Sequence, residues 1–160
     1  MNIANTYSTE WLVEQAWVDT IRAYQNLGAL PKGLGVRHWQ DVTDLPPGQY
    51  VMAHCVVKQL QVSNTPMPQC LAPAEVELGV FSATVMDSDG RQADAIRGII
   101  TWQMVVDPGF MSYFTSRLPN YITVQAVKRG DSHDYSENPR WKVRYVTFYV
   151  FGEFHRELMP

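Results

Sequence analysis

The chain has 160 residues, enough for one domain whose core needs no disulfide or metal to hold it together. Its net charge of −3 gives no electrostatic reason to expect duplex DNA or an anionic membrane as a partner. No run of about 18 apolar residues predicts a transmembrane helix, and the first residues lack the basic and apolar regions of a secretion signal.

Residues 8–27 form the first predicted element, an amphipathic helix. Ser8 can cap it, Glu10 lies in the first turn, and Gly28 follows as a stop. At about 100° per residue the apolar face contains Leu12, Val13, Ala16, Trp17, Thr20, Ala23, Tyr24 and Leu27. Trp11 and Val18 fall on the polar side. We interpret them as candidate contacts with another subunit, although isolated exposed apolar side chains are also common.

Two strands are predicted in the next part of the chain. Prolines and glycines in residues 29–49 predict an irregular connection. Residues 50–62 then form a predicted strand with an apolar face made of Val51, Ala53, Cys55 and Val57. The three prolines of residues 64–73 predict a loop, because proline cannot donate a backbone hydrogen bond. A second strand is predicted over residues 75–86, where valine and leucine alternate with glutamate.

Residues 89–104 fit two structures. A helix capped by Asp89 places one set of side chains on an apolar face, namely Ala93, Ile96, Ile99, Ile100 and Met104. In that helix Asp94, Arg97 and Thr101 point away from the apolar face. A hairpin turning at residues 87–90 is the alternative, because the run IITWQMVV is rich in β-branched side chains. The helix is favoured over the hairpin.

The remaining elements complete an α+β pattern. Residues 110–118 predict a short helix, residues 121–127 a strand, and residues 128–140 a polar loop. Residues 141–155 predict the final strand. The order indicates an α+β fold over residues 1–160, with a mainly antiparallel sheet, an N-terminal amphipathic helix and a second helix packed on one face.

The final predicted strand is long for a domain of this size. Its 15 residues would span about 50 Å at roughly 3.3 Å each, whereas the domain is only about 40 Å across. One end of the strand should therefore leave the body, bend at Gly152, or pair with another molecule. Termination at Gly152 is the alternative.

Both faces of the final strand are apolar. One face carries Val146, Phe148, Val150 and Phe154, and the other carries Trp141, Tyr145, Tyr149 and Phe151. We interpret this segment as an edge strand, which would aggregate unless a neighbouring subunit covered it. The candidate subunit-interface residues are Trp11, Val18, Trp141, Tyr145, Phe148, Phe151 and Phe154.

The residue types that carry catalysis or bind metals show no recognisable motif. A zinc site formed by His38, His54, Cys55 and Cys70 is disfavoured, because adjacent residues of a strand point to opposite faces. Neither a nucleophile elbow nor a phosphate-binding glycine loop occurs. We therefore expect no enzyme activity, no cofactor and no metal. Two cysteines are too few for a disulfide framework, which favours a reducing, cytoplasmic setting.

Several segments form a pattern that spans nearly the whole chain. They are the first helix ending in LGALPKG, the PPGQYV entry into the first strand, the strand AEVELGVFSATV with the helix after it, and the last strand beginning NPRWKVRYVTFYV. In content and order these segments resemble the tail-terminator, or neck, proteins of long-tailed bacteriophages.

The resemblance implies a structural role in a virion. Such proteins form a ring, usually of six subunits, that caps the tail tube and joins it to the head connector or stopper protein. It also implies assembly in the host cytoplasm, passive contact with DNA in transit, no membrane partner and no catalytic residues. The alternatives are another head–tail joining or oligomeric scaffold protein, and a small-ligand-binding α+β domain. A flat two-fold contact patch would favour the scaffold, and a deep pocket with convergent polar groups would favour the ligand-binding domain.

Overall fold

A computed structural model of the chain describes residues 8–57, 74–136 and 138–155. The first helix, α1, spans Thr9–Asn26, as the sequence predicts. Ser8 Oγ accepts a hydrogen bond from the Trp11 backbone N–H at 3.1 Å, which satisfies one of the free donors of the first turn. The chain leaves α1 at Gly28, whose φ of 88° lies in the left-handed region that favours glycine.

Five strands form one sheet in the described part of the chain. They are β1 (Gly35–His38), β2 (Gln49–Val57), β3 (Ala74–Ala83), β4 (Ile122–His133) and β5 (Trp141–Phe154). Their order across the sheet is β1-β2-β3-β5-β4. β1 runs parallel to β2, and every other neighbouring pair is antiparallel. With the helices α2 (Arg91–Ile99) and α3 (Phe110–Ser116), this arrangement confirms the predicted α+β class.

Three parts of the sheet differ from the prediction. β3 ends at Ala83, whereas the sequence predicts a strand to residue 86. β1 lies within residues 29–49, which the sequence predicts as irregular, and a short 3₁₀ turn follows at Val42–Asp44. β4 continues through residues 128–133, which the sequence predicts as loop. Pairing with β5 explains this extension, because the backbone hydrogen bonds of a strand do not depend on polar side-chain composition. The predicted loop at 64–73 and the strand end at 58–62 lie outside the described residues.

The ambiguous segment is helical. α2 is followed directly by a π-helical turn at Ile100–Met104, and the predicted apolar face is buried at Ala93, Ile96, Ile100 and Met104. Thr101, expected on the polar side, is also buried. The wider turn of a π-helix, with its i→i+5 hydrogen bonds, changes the direction in which the following side chains point.

Asp87, not Asp89, binds the first turn of α2 most extensively. Its two carboxylate oxygens accept hydrogen bonds from the backbone N–H groups of Gln92 at 3.2 Å and Ala93 at 3.0 Å. Asp89 Oδ1 accepts only from the Arg91 N–H, also at 3.2 Å. Burial opposes ionisation of Asp87, but these N–H donors outweigh it and hold the pKa of this carboxyl below its usual value.

The main core lies between the helices and one face of the sheet. Trp17 of α1 is fully buried, and its ring centroid lies 5.5 Å from Phe110, 5.4 Å from Phe114 and 4.9 Å from Phe148. A second, smaller cluster covers part of the opposite face and contains Tyr50, Met52, Phe81, Ala83, Trp141 and Val143. The 3₁₀ segment packs on this second cluster through Val42 and Leu45.

The final strand is not at the edge of the sheet, and that prediction is wrong. β5 lies between β3 and β4. Its residues Trp141 to Val150 pair with β3, and its residues Tyr145 to Phe154 pair with β4. The long strand is accommodated because its two neighbours are staggered along it. Gly152 does not end the strand, and the sheet edges are β1 and β4 instead.

Candidate assembly surface

Three of the predicted interface residues are buried within the subunit. Val18 and Phe148 are 0% exposed in the main core, and Trp141 is 5% exposed in the second cluster. The expectation that Val18 lies on the polar side of α1 is wrong. α1 packs against β1 and β2 and also against α3, so a wider arc of the helix is buried than one apolar face provides. Phe148 points to the helices because it shares a strand face with Val146 and Val150.

The other predicted interface residues lie nearer the surface. Trp11 is 37% exposed, and its ring stacks on the ring of His38 with 5.1 Å between centroids. Tyr145 is half-buried on the sheet face opposite the helices. Phe151 is also half-buried, with the Lys128 ammonium 5.6 Å from its ring centroid. The side chain of Phe154 lies outside the described part of the structure.

A large apolar groove opens near the first residue of β5. It has a volume of about 710 Å³, and its apolar lining includes Val42, Leu45, Pro47, Val85, Pro139 and Trp141. Val85 is 85% exposed, and the neighbouring Met86 is 50% exposed. A second groove of about 620 Å³ shares Val42 and Trp141 with the first. Together they form a continuous surface, apolar in the first groove and mixed in the second, where Asp41 and Ser136 also line it. The described residues leave this surface uncovered, and we call it the β5 groove.

Hydrogen bonds hold the walls of the β5 groove in place. The Thr84 backbone N–H donates to Arg140 O at 2.8 Å, and the Thr84 hydroxyl donates to Pro139 O at 2.7 Å. Next to the lining residue Pro47, the Tyr50 hydroxyl donates to Pro46 O at 2.8 Å. A groove with fixed walls loses little conformational entropy when a partner enters it.

A row of aromatic rings extends from the groove across the open face of the sheet. Trp39 and Phe81 lie 5.5 Å apart, Phe81 and Tyr145 lie 6.1 Å apart, and Tyr145 and His133 lie 4.5 Å apart between ring centroids. Gly79 makes room for this row, since a Cβ there would lie 2.6 Å from the Phe81 ring and 3.0 Å from the Trp39 ring. The open face therefore presents a row of rings across β3, β5 and β4, with edge-to-face contacts at Phe81 and a stacked contact between Tyr145 and His133.

The edge strand β4 is a second unpaired surface. Among the described residues it pairs with β5 on one side, and no strand lies on its other side. Residues 122–127 carry no charge, whereas Lys128, Arg129 and Asp131 follow in the second half. Charges and register irregularities protect an edge from unwanted pairing, and the irregularities occur at Val124/Ala126 and Arg129/Ser132. One irregularity lies in each half of the strand, but the charges lie only in the second half. Residues 122–127 are therefore the less protected part, and we call them the β4 edge.

The opposite edge of the sheet is covered. Arg22 Nη2 of α1 donates to the carbonyl oxygen of Val36 in β1 at 2.8 Å. Gln25 Nε2 of the same helix donates to Leu34 O, also at 2.8 Å. These side chains occupy backbone acceptors that a pairing strand would otherwise use.

The β5 groove and the β4 edge lie near opposite ends of β5. Trp141 lines the groove, and Phe151 pairs with Ala126 of the β4 edge. Their separation of ten positions corresponds to about 33 Å along a strand. The two surfaces also differ in kind, since one is a concave apolar groove and the other is an open backbone edge. They are therefore separate and unlike.

Ionisable side chains between α1, β1 and β2 form a structural cluster. Glu14 accepts a hydrogen bond from the Cys55 backbone N–H at 2.8 Å, contacts His38 Nδ1, and lies 3.6 Å from His54 Nδ1. His54 is exposed and Cys55 is buried, in agreement with the alternation of a strand. Burial, with the charges of Glu14 and Glu10 nearby, raises the pKa of the Cys55 thiol to about 12, which keeps it protonated.

The described residues contain few features of other kinds of site. They contain no group of three or more His, Cys, Asp and Glu side chains that could hold a metal ion. Within the same part of the chain, no helix combines the length and the apolar character needed to cross a membrane. Comparison of the chain with protein-family models and with curated proteins finds no match.

Proposed function

We propose that this protein is a structural assembly subunit whose copies associate head to tail. In line with the resemblance of its sequence to tail-terminator proteins, we propose that the copies form a ring, usually of six, in the neck of a long-tailed bacteriophage. That ring caps the tail tube and offers a surface to the head connector. The role requires no catalytic residues, cofactor or membrane.

The observation that carries this proposal is the presence of two unlike surfaces on one subunit. A head-to-tail contact joins different patches of two copies, and it closes into a ring when the rotation between the copies permits. The β5 groove and the β4 edge satisfy the first requirement, because one is concave and apolar and the other offers unpaired backbone groups. A two-fold dimer would need only one self-complementary patch.

The exposed apolar side chains of the groove give the contact a driving force. Val85 is 85% exposed in the subunit, and burying a valine side chain contributes about 1.5–3 kcal/mol. Trp141 and Pro139 form the adjoining wall. Edge pairing adds backbone hydrogen bonds, as in other cases where a strand joins an exposed edge.

The direct test measures the mass of the wild-type protein by light scattering, alone and mixed with tail tubes of the virus that carries it. Negative-stain images of the same samples should show closed rings, either free or at tube ends. A protein that stays monomeric in both samples and leaves tube ends bare would reject the proposal.

Two surface variants test the head-to-tail geometry. Val85→Asp places a charge in the β5 groove, and Gln125→Lys places one on the β4 edge, where Gln125 is exposed. Each variant alone should fail to form rings. A mixture of the two should form dimers, because each supplies the surface that the other lacks. Rings formed by Gln125→Lys alone would show that the β4 edge is not part of the contact.

Matched controls separate assembly from general effects of charge. Val106→Asp and Gln103→Lys introduce the same charges at exposed positions outside both surfaces. Both control variants should assemble like the wild type. Circular dichroism should show that all four variants fold.

Small-ligand binding is a second candidate function, favoured by the volume of the groove. About 710 Å³ lies within the roughly 300–1,000 Å³ that ligand pockets occupy. Native mass spectrometry of the protein purified without denaturation would detect a retained small molecule. A bound molecule that Val85→Asp releases, together with a monomeric wild type, would favour this candidate over assembly.

A further inference from the structure

A small polar pocket lies between α2, the π-helical turn and β4. It has a volume of about 240 Å³ and is lined by Asp94, Arg97, Thr101, Trp102, Arg129 and Ser132, among others. None of these residues lines the β5 groove or belongs to the β4 edge. The pocket is therefore separate from the proposed assembly surfaces.

Thr101 borders this pocket with a hydroxyl group that has no hydrogen-bond partner among the described residues. The residue is only 4% exposed, and its Oγ1 atom is fully buried. A helical threonine ordinarily donates to the carbonyl one turn earlier. Thr20 and Thr115 do so in this protein, each at 2.7 Å. The hydroxyl of Thr101 does not, and it lies in a π-helical turn, a feature frequent at functional sites.

The pocket also contains an arginine whose charge the described residues do not neutralise. The guanidinium carbon of Arg129 lies 4.8 Å from the centroid of the Trp102 ring, and Arg129 Nη2 donates to Ser132 Oγ at 3.3 Å. No carboxylate in the described ranges forms an ion pair with Arg129. The guanidinium is thus oriented by the Trp102 ring and the Ser132 hydroxyl, and its remaining N–H groups are available to donate hydrogen bonds to a ligand.

The other arginine of the pocket is already neutralised. Arg97 forms ion pairs with Asp94 at 2.9 Å and with Asp134 at 2.5 Å. It also donates to the backbone oxygen of Tyr145 at 3.1 Å. Arg97 is therefore a fixed wall, and Arg129 supplies the positive charge available to a ligand.

We propose that this pocket binds a small oxyanion, either a carboxylate or a phosphate group. Arg129 provides a planar pair of donors that suits both groups, and the hydroxyls of Thr101 and Ser132 provide further donors. Trp102, which is 63% exposed, forms an aromatic wall beside the charge. The volume of 240 Å³ equals that of roughly eight water molecules, which is enough for the oxyanion and a small organic remainder.

Nuclear magnetic resonance of the full-length, ¹⁵N-labelled protein tests the proposal. The indole N–H of Trp102, assigned with a Trp102→Phe variant, is followed while sodium phosphate, sodium acetate or sodium chloride is added at matched ionic strength. We expect a saturable shift with phosphate or acetate and none with chloride. The anion that binds more tightly, phosphate or acetate, indicates whether the natural ligand carries a phosphate or a carboxylate group.

Three variants test the roles assigned to the side chains. Arg129→Gln should weaken binding about tenfold or more, the effect expected of one lost charge-assisted hydrogen bond. Arg91→Gln removes an exposed arginine outside the pocket and should bind like the wild type. Thr101→Val should also weaken binding, yet raise the melting temperature of the ligand-free protein, because it removes a buried hydroxyl without a partner.

Three results would overturn the proposal. The first is a Trp102 signal that responds equally to chloride and to both oxyanions, or to none of them. The second is equal weakening by Arg129→Gln and Arg91→Gln, which would indicate a general charge effect. The third is unchanged affinity in Thr101→Val. None of these results depends on whether the protein forms rings, so the test is independent of the assembly proposal.

Discussion

Replacing Phe148 by alanine should destabilise the subunit itself, because the side chain is part of the core and not of a subunit contact. Phe148 is 0% exposed, and its ring stacks on Trp17 with 4.9 Å between centroids. Trp17 in turn contacts Phe110 and Phe114. Loss of the Phe148 ring would leave a cavity beside Trp17, whose own contacts with Phe110 and Phe114 restrict its movement into the space.

The expected loss in free energy of unfolding is large compared with the stability of a typical domain. Phenylalanine-to-alanine changes in cores cost about 3–5 kcal/mol, and we expect about 4 kcal/mol here because Phe148 is fully buried and the Trp17 ring that it stacks on is itself held by Phe110 and Phe114. Whole domains are stable by only about 5–15 kcal/mol. The Phe148→Ala variant should therefore be folded but only marginally stable.

Urea denaturation followed by circular dichroism measures this loss. Phe151→Ala is the matched control, since Phe151 is half-buried on the other sheet face and lies beside Lys128. Its loss should cost about 1 kcal/mol, the order of an exposed cation–π contact. If Phe148→Ala cost under about 1 kcal/mol while assembly was abolished, Phe148 would be an interface residue and our account of the core would be wrong.

Two further predictions concern ionisable groups. Asp87→Asn should lower the free energy of unfolding at pH 7 by about 1–3 kcal/mol, because the carboxylate binds the first turn of α2. The pKa of Asp87 is held below its usual value in the folded protein, so the stability that this carboxylate contributes is complete above about pH 4 and is lost as pH falls through the lower folded-state pKa. Urea denaturation at several pH values should therefore show that the wild type and Asp87→Asn become equally stable in acid. Burial raises the pKa of the Cys55 thiol to about 12, so in a Cys70→Ser background a thiol reagent at about pH 8 should label the unfolded protein and spare the folded one. The folded protein should also lose stability as pH rises above about 8.5, where only the unfolded thiol ionises, and rapid labelling of native Cys55 would contradict this account.

Elements with local signals were predictable from the sequence. The cap at Ser8 and the stop at Gly28 define α1, because both act through the backbone of neighbouring residues. The helical alternative for residues 89–104 followed from the spacing of its apolar side chains. The alternation at the start of β3 predicted that Val76 and Leu78 are buried more deeply than the glutamates between them, whereas both faces are buried from Leu78 to Ala83. Such patterns involve residues close in the chain, so the sequence shows them directly.

The candidate surfaces were harder to predict from the sequence. The apolar final strand suggested a subunit contact, but the open edge is β4, whose polar second half resembles a loop in composition. The residues of the β5 groove come from three distant segments, and only Trp141 and Tyr145 among them are predicted contacts. The polar pocket was also missed, since it depends on the proximity of Thr101 and Arg129.

The sequence by itself determined the α+β class, the first helix and the apolar side chains of the strands. Tertiary structure alone decided which strands lie at the edges, how much of α1 is buried and which polar groups lack partners. Strand order depends on pairings between residues far apart in the chain, and both faces of β5 are apolar whether it lies inside the sheet or at its edge. Val18 is buried because α1 packs against β1 and β2, which Glu14 and Arg22, one helical turn to either side, also contact. Thr101 lacks a partner at the point where the helix widens into a π-turn. These outcomes depend on packing between elements, which the local pattern of side chains does not specify.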